Sequence, residues 1–274
     1  MIHVLKIGGG AGIDPAPVLD NLARRIAGGE QWVVVHGASD EANRLAGRVG
    51  LTVQTLTGPD GHVSRYTDAQ MIELYSAAAG MVNQRLVAGL AVRGVCTAGL
   101  AGPAVITARR KTAIRALRNG RPVVVRDDFS GSIEGVDEQL LRLLLQGGYT
   151  PIIAPLALGT AGERLNVDGD LVAATVARVL QADSLIILSN VSGLLRDPAD
   201  SLSVVPGFSL GDLPRYEPLA QGRMKKKLLA AREARVPLVI LSDAGLPAPL
   251  DAALAGAGTH ILAETEAQHV GHAG

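Results

Sequence analysis

Short apolar runs alternate with helical patterns along most of this chain, and this alternation constrains the fold more than any other feature of the sequence. The apolar runs are dominated by Val, Ile and Leu, which is typical of strands in a sheet buried on both faces. We predict strands at 2–7, 32–36, 122–126, 150–154, 184–189, 237–241 and 259–262. We predict helices at roughly 14–26, 68–93, 136–146, 168–180 and 223–235. The expected fold is therefore α/β, a three-layer sandwich with a mostly parallel central sheet.

Composition narrows the class of protein. The chain has 274 residues, of which 47% are hydrophobic, which is enough for two lobes with a sizeable core. A formal net charge of +0 argues against a general role in binding nucleic acid or a membrane surface. Cys96 is the only cysteine, so we expect a lone buried thiol and no disulfide or cysteine-based zinc site. The first strand begins without an apolar leader, which favours a cytoplasmic protein.

The glycine-rich segment after the first strand is a candidate anion site. Lys6 lies near the C-terminal end of that strand, and Gly8 and Gly9 follow it. Ligands collect at the carboxyl ends of strands in open α/β sheets, and glycines expose backbone N–H groups there. A plain turn with a solvated lysine is the alternative. No G-x-G-x-x-G pattern and no Gly-Lys dipeptide occur here, so the segment is neither a dinucleotide fingerprint nor a P-loop.

Five further features lie at predicted strand or helix ends. They are HGAS at 36–39, Arg65 after a Gly-Pro-Asp-Gly turn, NVDGD at 166–170, SNVSGL at 189–194 and GRMKKK at 222–227. Each has an ordinary interpretation: a strand-to-helix connection, an exposed arginine, helix capping, a loop or an exposed basic turn. Cations at a helix N-terminus oppose the helix dipole, so the last segment is also consistent with a bound phosphate.

A run of basic residues occupies the middle of the chain. It consists of Arg109, Arg110, Lys111, Arg115, Arg118, Arg121 and Arg126, with no acidic residue among them. A solvated face is the ordinary interpretation of such a run. The alternative is a docking surface for an acidic partner, whose association the positive charge would accelerate.

Taken in order, these segments resemble the amino acid kinase family, in its acetylglutamate-kinase-like branch and with a carbamate kinase-like fold. The matching residues are Lys6 to Gly9, His36 to Ser39, Arg65, Asn166 to Asp170, Ser189 to Leu194 and Gly222 to Lys226. The resemblance extends from residue 2 to about residue 262. It implies an N-terminal lobe, 1–165, for acceptor binding and dimerisation, and a C-terminal lobe, 166–274, for ATP binding. The boundary is expected near the loop at 158–164.

The resemblance also implies roles for individual residues. Lys6 and Lys226 match two lysines that stabilise the transferring phosphoryl group, and Asp170 matches the acid that organises them. Contacts to the phosphoryl group and the acceptor are implied for Gly8, Gly9, Gly37, Ala38, Arg65 and Asn166. Nucleotide contacts are implied for Ser189, Asn190, Gly193, Leu194, Gly222 and Met224. ATP and Mg²⁺ are the implied cofactors, and no residue is assigned as a metal ligand.

Two positions depart from the family pattern. Ala38 stands where the family usually has glycine, and its methyl group is expected to narrow the approach of the backbone to the ligand. Asn190 replaces an aspartate that is common in acetylglutamate kinases, which leaves the nucleotide contact at this position open.

Within the branch, three segments are more similar to kinases of lysine biosynthesis whose substrate, aminoadipate, is attached to a small acidic carrier protein, LysW. They are VSRYTD at 63–68, RRKTA at 109–113 and AQGRMK at 220–225. The resemblance implies phosphorylation of a side-chain carboxylate, of carrier-linked aminoadipate or of carrier-linked glutamate. It also implies a docking surface at Arg109, Arg110, Lys111, Arg115 and Arg118. By family analogy we expect a homodimer. The alternatives are an N-acetylglutamate kinase of arginine biosynthesis and a non-catalytic nucleotide-binding module.

Overall fold

The structure is a computed structural model and describes residues 1–58, 61, 63–118 and 121–264. The strands are β1 (Ile2–Ile7), β2 (Gln31–His36), β3 (Thr55–Thr57), β4 (Val63–Arg65), β5 (Thr97–Leu100), β6 (Ile106–Arg110), β7 (Ile114–Arg118), β8 (Arg121–Val125), β9 (Gly131–Val136), β10 (Thr150–Ile153), β11 (Leu156–Gly159), β12 (Arg164–Asn166), β13 (Ser184–Ser189), β14 (Gly207–Ser209), β15 (Leu238–Asp243) and β16 (Thr259–Leu262). The helices are α1 (Ala16–Ala27), α2 (Ser39–Arg48), α3 (Ala69–Ala91), α4 (Glu138–Gln146), α5 (Gly169–Leu180), α6 (Leu213–Tyr216), α7 (Arg223–Ala234) and α8 (Pro249–Leu254).

The central sheet has eight strands in the order β14-β16-β15-β13-β1-β2-β10-β5. Its strands are parallel except for β16 and β14, because β15 pairs with β16 in the antiparallel direction and β14 runs parallel to β16. Strand β1 is central and pairs with both β2 and β13. The sheet therefore continues across the expected lobe boundary, and the division into two lobes stays a prediction.

Helices cover both faces of this sheet, and alternation along β1 decides which side chain meets which layer. Leu5 and Ile7 pack with α1 and α8 in one core, whereas Val4 packs with α4, α5 and α7 in the other. Lys6 is two residues from Val4, so it points to the same side, toward α5 and α7. Both cores are buried, which confirms the three-layer sandwich with a mostly parallel central sheet.

Two smaller sheets flank the C-terminal ends of the central strands. One has the order β12-β11-β6-β9, and the other is antiparallel with the order β4-β3-β7-β8. We call the second sheet the wall. The predicted strand at 122–126 is β8 of this wall, not a strand of the central sheet. The predicted turn at 58–61 joins β3 to β4, and Gly61 N donates to Gly58 O at 3.0 Å, while Pro59 and Asp60 are outside the described residues.

The predicted strands and helices agree with the structure to within a few residues. Several mostly short elements were not predicted, namely β3, β4, β6, β7, β9, β11, β12, β14, α2, α6 and α8. Strand β5 at the edge of the central sheet was not predicted, because Thr97–Leu100 is short and contains a glycine. Helix α1 begins at Ala16 with Pro15 as its N-cap, while Asp14 Oδ1 accepts a hydrogen bond from Ala16 N at 2.9 Å. Cys96 is exposed, so the prediction of a buried thiol was wrong.

None of the helices within the described ranges is long and apolar enough to cross a membrane.

Candidate active site

A deep cleft of about 1170 Å³ opens where the C-terminal ends of β1, β2 and β13 meet the N-terminal ends of α5 and α7, and the wall forms one of its sides. Of the predicted site residues, the cleft is lined by Lys6, Gly8, Gly9, Gly37, Arg65, Lys111, Asn166, Asp170, Ser189, Asn190, Gly222, Met224 and Lys226. Residues from seven separated segments of the sequence therefore meet at one place. The cleft is not lined by Ala38, Gly193, Leu194, Arg109, Arg110 or Arg115.

A buried group of three charges lies at the base of the cleft. Asp170, in the first turn of α5, has Oδ1 at 2.6 Å from Lys6 Nζ and Oδ2 at 3.2 Å from Lys227 Nζ. All three side chains are at most 10% exposed. Asp168 caps α5 by accepting hydrogen bonds from Asp170 N and Leu171 N, which fixes the start of the helix. A methyl group built on Gly169 would lie 3.5 Å from Lys6 Cε, so the helix begins close against β1.

The surroundings of this group shift the pKa values of Asp170 and Lys227. Burial alone would raise the pKa of Asp170, but the two ammonium groups outweigh burial and lower the pKa to about 2. Burial lowers the pKa of Lys227, while the Asp170 carboxylate acts in the opposite direction. The carboxylate is therefore ionised at neutral pH and holds both lysine side chains in fixed positions.

The lysine of α7 that pairs with Asp170 is Lys227, and not Lys226 as the sequence predicted. Lys226 also lines the cleft, but its side chain is only partly buried, whereas Lys227 is buried against α5. The physical reason is helix geometry, because consecutive residues of a helix point about 100° apart and only one of them can face α5. The catalytic roles of both lysines stay predictions.

The two glycine segments pack backbone against backbone. A methyl group built on Gly9 would lie 2.4 Å from Ala38 N, and one on Gly37 would lie 2.5 Å from Gly9 N. A side chain at either position would separate the ends of β1 and β2. The glycines at this contact are thus required sterically, whatever ligand the loops bind.

The backbone N–H groups of these segments are only partly available to a ligand. Gly8 N donates to Leu188 O at 2.8 Å and Gly37 N donates to Ile7 O at 2.9 Å, so both continue the pairing of the sheet. Their predicted role as donors to the ligand is therefore not supported by this conformation. Within the described part of the chain, no backbone carbonyl accepts from Gly9 N or Gly10 N, and both residues line the cleft.

The methyl group of Ala38 does not face the cleft. Ala38 is 1% exposed and packs in a small apolar cluster with residues of α2 and α3, including Ala42 and Tyr75. The expectation that this methyl group narrows the approach to the ligand was wrong, because the side chain points into the core.

Arg65 extends from the wall into the cleft with no carboxylate partner among the described residues. Its Nη2 donates to Ser39 O at 3.1 Å and to Asn43 Oδ1 at 2.6 Å, and its Cζ lies 5.9 Å from the centre of the Tyr75 ring. Burial lowers the pKa of Arg65, and the nearby charge of Arg223 lowers it further. A fixed guanidinium that has only neutral partners is suited to bind an incoming carboxylate.

Asn166 is held beside Arg65 by a network centred on a buried acid that the sequence did not reveal. Asp128, 1% exposed, accepts hydrogen bonds from Thr67 N at 2.8 Å and Ser130 N at 2.7 Å. Asn166 Nδ2 donates to Thr67 Oγ1 at 3.1 Å. The same network joins the segment after β4 to the segment before β9, which anchors the wall to the rest of the molecule.

The predicted nucleotide segments divide into two groups. Ser189 and Asn190 follow β13 and line the cleft, as do Gly222 and Met224 at the start of α7. Leu194, 1% exposed, is a core residue whose N–H donates to Thr259 Oγ1 at 2.8 Å. A methyl group built on Gly193 would lie 2.6 Å from that same Oγ1. Their position thus favours structural roles for Gly193 and Leu194.

The basic run does not form one free surface. Arg109 pairs with Glu134 across β6 and β9 at 3.2 Å, while Arg110 stacks on Phe129 with Cζ 3.7 Å from the ring centre. Lys111 is exposed at the mouth of the cleft. Partial burial of its ammonium group, and then the charge of Lys226, lower its pKa. Arg115 is exposed on β7, and the side chain of Arg118 is outside the described part.

His36, the last residue of β2, is buried directly before the glycine segment at Gly37. Its Nδ1 lies 3.2 Å from Gly37 O and its Nε2 lies 3.2 Å from Asn83 Nδ2, a pattern that fits a neutral ring protonated on Nδ1. Burial lowers the pKa of His36 to about 4, and the charge of Lys6 contributes in the same direction.

The described residues contain no group of three or more His, Cys, Asp or Glu side chains that could hold a metal ion.

Comparison with known proteins agrees with this geometry. Residues 1–241 match the model of the amino acid kinase family. A [LysW]-aminoadipate kinase of Deinococcus radiodurans is 41% identical over 94% of this chain and 90% of its own length. A [LysW]-aminoadipate kinase of Thermus thermophilus is 40% identical over 94% of this chain and 99% of its own length.

Solved structures share the fold. An N-acetylglutamate synthase of Neisseria gonorrhoeae has a TM-score of 0.78 and 24% identity, over 96% of this chain and 60% of that one. A carbamate kinase of Giardia lamblia has a TM-score of 0.67 and 15% identity, over 96% of this chain and 98% of that one. Both the expected fold and the expected class of phosphotransferase are thus confirmed, and the chain belongs to the amino acid kinase family.

Proposed function

We propose that this protein transfers the γ-phosphoryl group of ATP to the side-chain carboxylate of an acidic amino acid linked through its amino group to a LysW-type carrier protein. The observation that carries the proposal is the buried Lys6–Asp170–Lys227 group at the base of a cleft lined by glycine loops. The products are an acyl phosphate and ADP.

The chemistry requires no general base. A carboxylate is already ionised at neutral pH, so its oxygen attacks the γ-phosphorus directly while the bond to the bridging oxygen of ADP breaks and ADP leaves with the electron pair. Because two anionic groups must approach each other, catalysis consists of positioning and neutralisation of charge. Lys6 and Lys227, fixed by Asp170, would stabilise the negative charge of the phosphoryl oxygens. The free N–H groups of Gly9 and Gly10 would donate to the same oxygens.

The residues of this site fit an Mg²⁺ ion that is bound mainly by the phosphates of the nucleotide. The one buried carboxylate at the base of the cleft, Asp170, is paired with two lysines and is a poor ligand for an ion. Mg²⁺ commonly keeps several waters and binds through the phosphates of its nucleotide. The ion would thus arrive with ATP and neutralise charge on its phosphate oxygens.

Arg65 and Asn166 are the proposed acceptor-binding residues. Arg65 has no carboxylate partner within the described residues, so it can bind the free α-carboxylate of the acceptor, next to the Asn166 amide. The names of the two relatives described above support aminoadipate as the acceptor. A further relative, from Pyrobaculum neutrophilum, carries the provisional name [LysW]-aminoadipate/[LysW]-glutamate kinase and is 36% identical over 94% of this chain and 98% of its own length. Carrier-linked glutamate is therefore the alternative acceptor.

The residues of the proposed docking surface differ in how free they are. Arg110 stacks on Phe129 and donates to Asp128 O. Arg109 pairs with Glu134 but keeps a side chain that is 74% exposed, so it stays a candidate for docking. Lys111 at the mouth of the cleft and Arg115 on the wall remain candidates, and exposed Arg121 and Arg126 join them. A carrier docked on the wall would deliver its linked amino acid to the cleft beside Arg65. By family analogy, the proposal also includes a homodimer, an N-terminal lobe that binds the acceptor and a C-terminal lobe that binds ATP.

Steady-state kinetics with three acceptors test the proposal. We expect efficient ADP formation with LysW-linked aminoadipate, with or without LysW-linked glutamate, and at most weak turnover with free N-acetylglutamate. Efficient use of free N-acetylglutamate alone would instead identify an arginine-biosynthesis enzyme. Binding of ATP without phosphoryl transfer to any of the three would indicate a non-catalytic nucleotide-binding module.

A further inference from the structure

Arg223, the first residue of α7, lines the cleft without belonging to the buried charge group. A methyl group built on Gly10 would lie 3.7 Å from Arg223 Nη1. The guanidinium therefore lies beside the glycine loop, next to backbone N–H groups that have no acceptor among the described residues. Nothing in the sequence distinguishes Arg223 from the three lysines that follow it.

The charge of Arg223 is uncompensated in the described structure. Lys227 and Arg232 of α7 form ion pairs, and no ion pair described for this helix involves Arg223. A cation in the first turn of a helix costs roughly 0.3–1 kcal/mol against the helix dipole. Arg223 is also close enough to Arg65 that, after burial, its charge contributes to lowering the pKa of Arg65. Two guanidinium groups that approach each other without a carboxylate favour an anion beside them.

Charge balance at the base of the cleft identifies that anion. The ammonium groups of Lys6 and Lys227 and the carboxylate of Asp170 sum to a single positive charge. The γ-phosphoryl group and the acceptor carboxylate together bring more negative charge than this group neutralises. Mg²⁺ bound with the nucleotide would offset part of this excess. A further cation where the two reactants meet would offset more of it, and the planar fork of an arginine matches phosphoryl oxygens.

We propose that Arg223 binds the transferring phosphoryl group from the solvent side of the cleft, as a third catalytic cation opposite Lys6 and Lys227. Its guanidinium would donate hydrogen bonds to the phosphoryl oxygens together with the N–H groups of Gly9 and Gly10. This role rests on the proposed phosphoryl transfer, but it does not depend on which acceptor is used.

The first test compares R223Q and R223K with R232Q, a control on the same helix whose side chain is exposed and ion-paired on the surface. We expect R223Q to lower kcat roughly 100-fold, as does loss of other preorganised donors to a transition state. R223K should recover part of that loss, because it restores the charge but not the fork, and R232Q should match the wild type. An R223Q variant that keeps more than about a third of wild-type kcat would overturn the proposal.

The second test uses nucleotide affinity and needs no acceptor. R223Q should weaken binding of ATP about tenfold, while the affinity for ADP, which lacks the γ-phosphoryl group, should change less than twofold. An equal loss for both nucleotides, or no loss for either, would contradict the proposed contact. If the wild type phosphorylates only free N-acetylglutamate, the acceptor proposal fails and the kcat comparison is made with that acceptor. If the wild type transfers to no acceptor, the proposed function fails and the ATP-to-ADP ratio alone decides the role of Arg223.

Discussion

The base of the cleft and the wall are built in different ways. At the base, Lys6, Asp170 and Lys227 project from β1, α5 and α7, which pack on the central sheet, and all three side chains are buried. The wall is a four-stranded antiparallel sheet that reaches the body mainly through Arg65 and the network around Asp128. Under the proposed function, the groups that must be held rigidly lie on the core, and Arg65, the proposed contact of the acceptor, lies on an appended sheet. The comparison predicts large effects on the chemical step at the base and smaller effects on acceptor binding at the wall.

The largest effect is expected from the lysines at the base. K6A and K227A should each lower kcat roughly 100- to 1,000-fold, because each removes a preorganised cation from the transferring phosphoryl group. K226A is the matched comparison on the same helix, and its loss should be at least tenfold smaller, because Lys226 does not pair with Asp170. Single-turnover rates with saturating ATP and acceptor measure this. If K226A lost more activity than K227A, the assignment of Lys227 would be wrong.

The second effect concerns the stability that the buried carboxylate provides. The pKa of Asp170 is lowered to about 2 in the folded protein, so folding favours the ionised form. The stabilisation is fully present well above the unfolded-state pKa near 4, and it is lost progressively as pH falls through that value toward 2. A shift of this size corresponds to a difference on the order of 2 kcal/mol in the free energy of unfolding.

Urea unfolding between pH 6 and pH 3 measures this contribution. D170N should flatten the acid dependence and also lower stability at pH 6, because two buried ammonium groups lose their partner. D20N is the surface control, since Asp20 is 63% exposed and pairs with Arg93. It should change stability by about 0–1 kcal/mol at both pH values. Equal acid dependence in the wild type and D170N would show that Asp170 does not contribute.

A smaller effect is expected at the wall. R65Q should raise KM for the acceptor roughly tenfold, because a hydrogen bond to a charged group contributes about 1.5 kcal/mol at the low end of its range. The KM for ATP and the kcat at saturating acceptor should change less than threefold. Steady-state kinetics with each substrate varied in turn measures this separation. If R65Q lowered kcat and left KM for the acceptor unchanged, Arg65 would act in the chemical step and not in acceptor binding.

The smallest effect is expected on the outside of the wall. R115A should lower kcat/KM for the carrier-linked acceptor roughly threefold at low salt, and the difference should disappear at high salt, because exposed charges act through screened attraction. Arg48, exposed in the last turn of α2, provides the control substitution R48A. An effect of R115A that is equal for free and carrier-linked acceptors would argue against docking at this surface.

Regular patterns made the central sheet predictable from the sequence. Strands 2–7, 184–189 and 259–262 match the structure residue for residue. For the first two the reason is that six-residue runs rich in apolar side chains have one stable location, between two helical layers. Strands of the wall are harder to recognise, since several are three to five residues long and expose one face. The predicted strand at 122–126 was found, but its assignment to the central sheet failed because periodicity carries no information on partners.

The candidate site shows the same division. The sequence identified Lys6 and Asp170 because they stand at the end of a predicted strand and the start of a predicted helix. Arg65 was identified by the turn before it and, like Asn166, by the family resemblance, and all four residues line the cleft. It could not show that Glu134 pairs with Arg109 or that Phe129 stacks on Arg110, because these partners are distant in sequence and meet only in the folded chain. Asp128 gave no signal, since a buried acid that accepts two backbone hydrogen bonds looks like any loop aspartate in the sequence.

By itself, the sequence determined the layered α/β fold and the position of the candidate cleft at the ends of β1, β2 and β13. Both follow from local patterns: apolar runs that must be buried, and glycines and polar residues that interrupt them. Tertiary structure alone decided which of three consecutive lysines joins the buried charge group. Each step along a helix rotates the side chain by about 100°, so the packing of α7 on α5 turns Lys227 toward Asp170 and leaves Lys226 at the cleft surface.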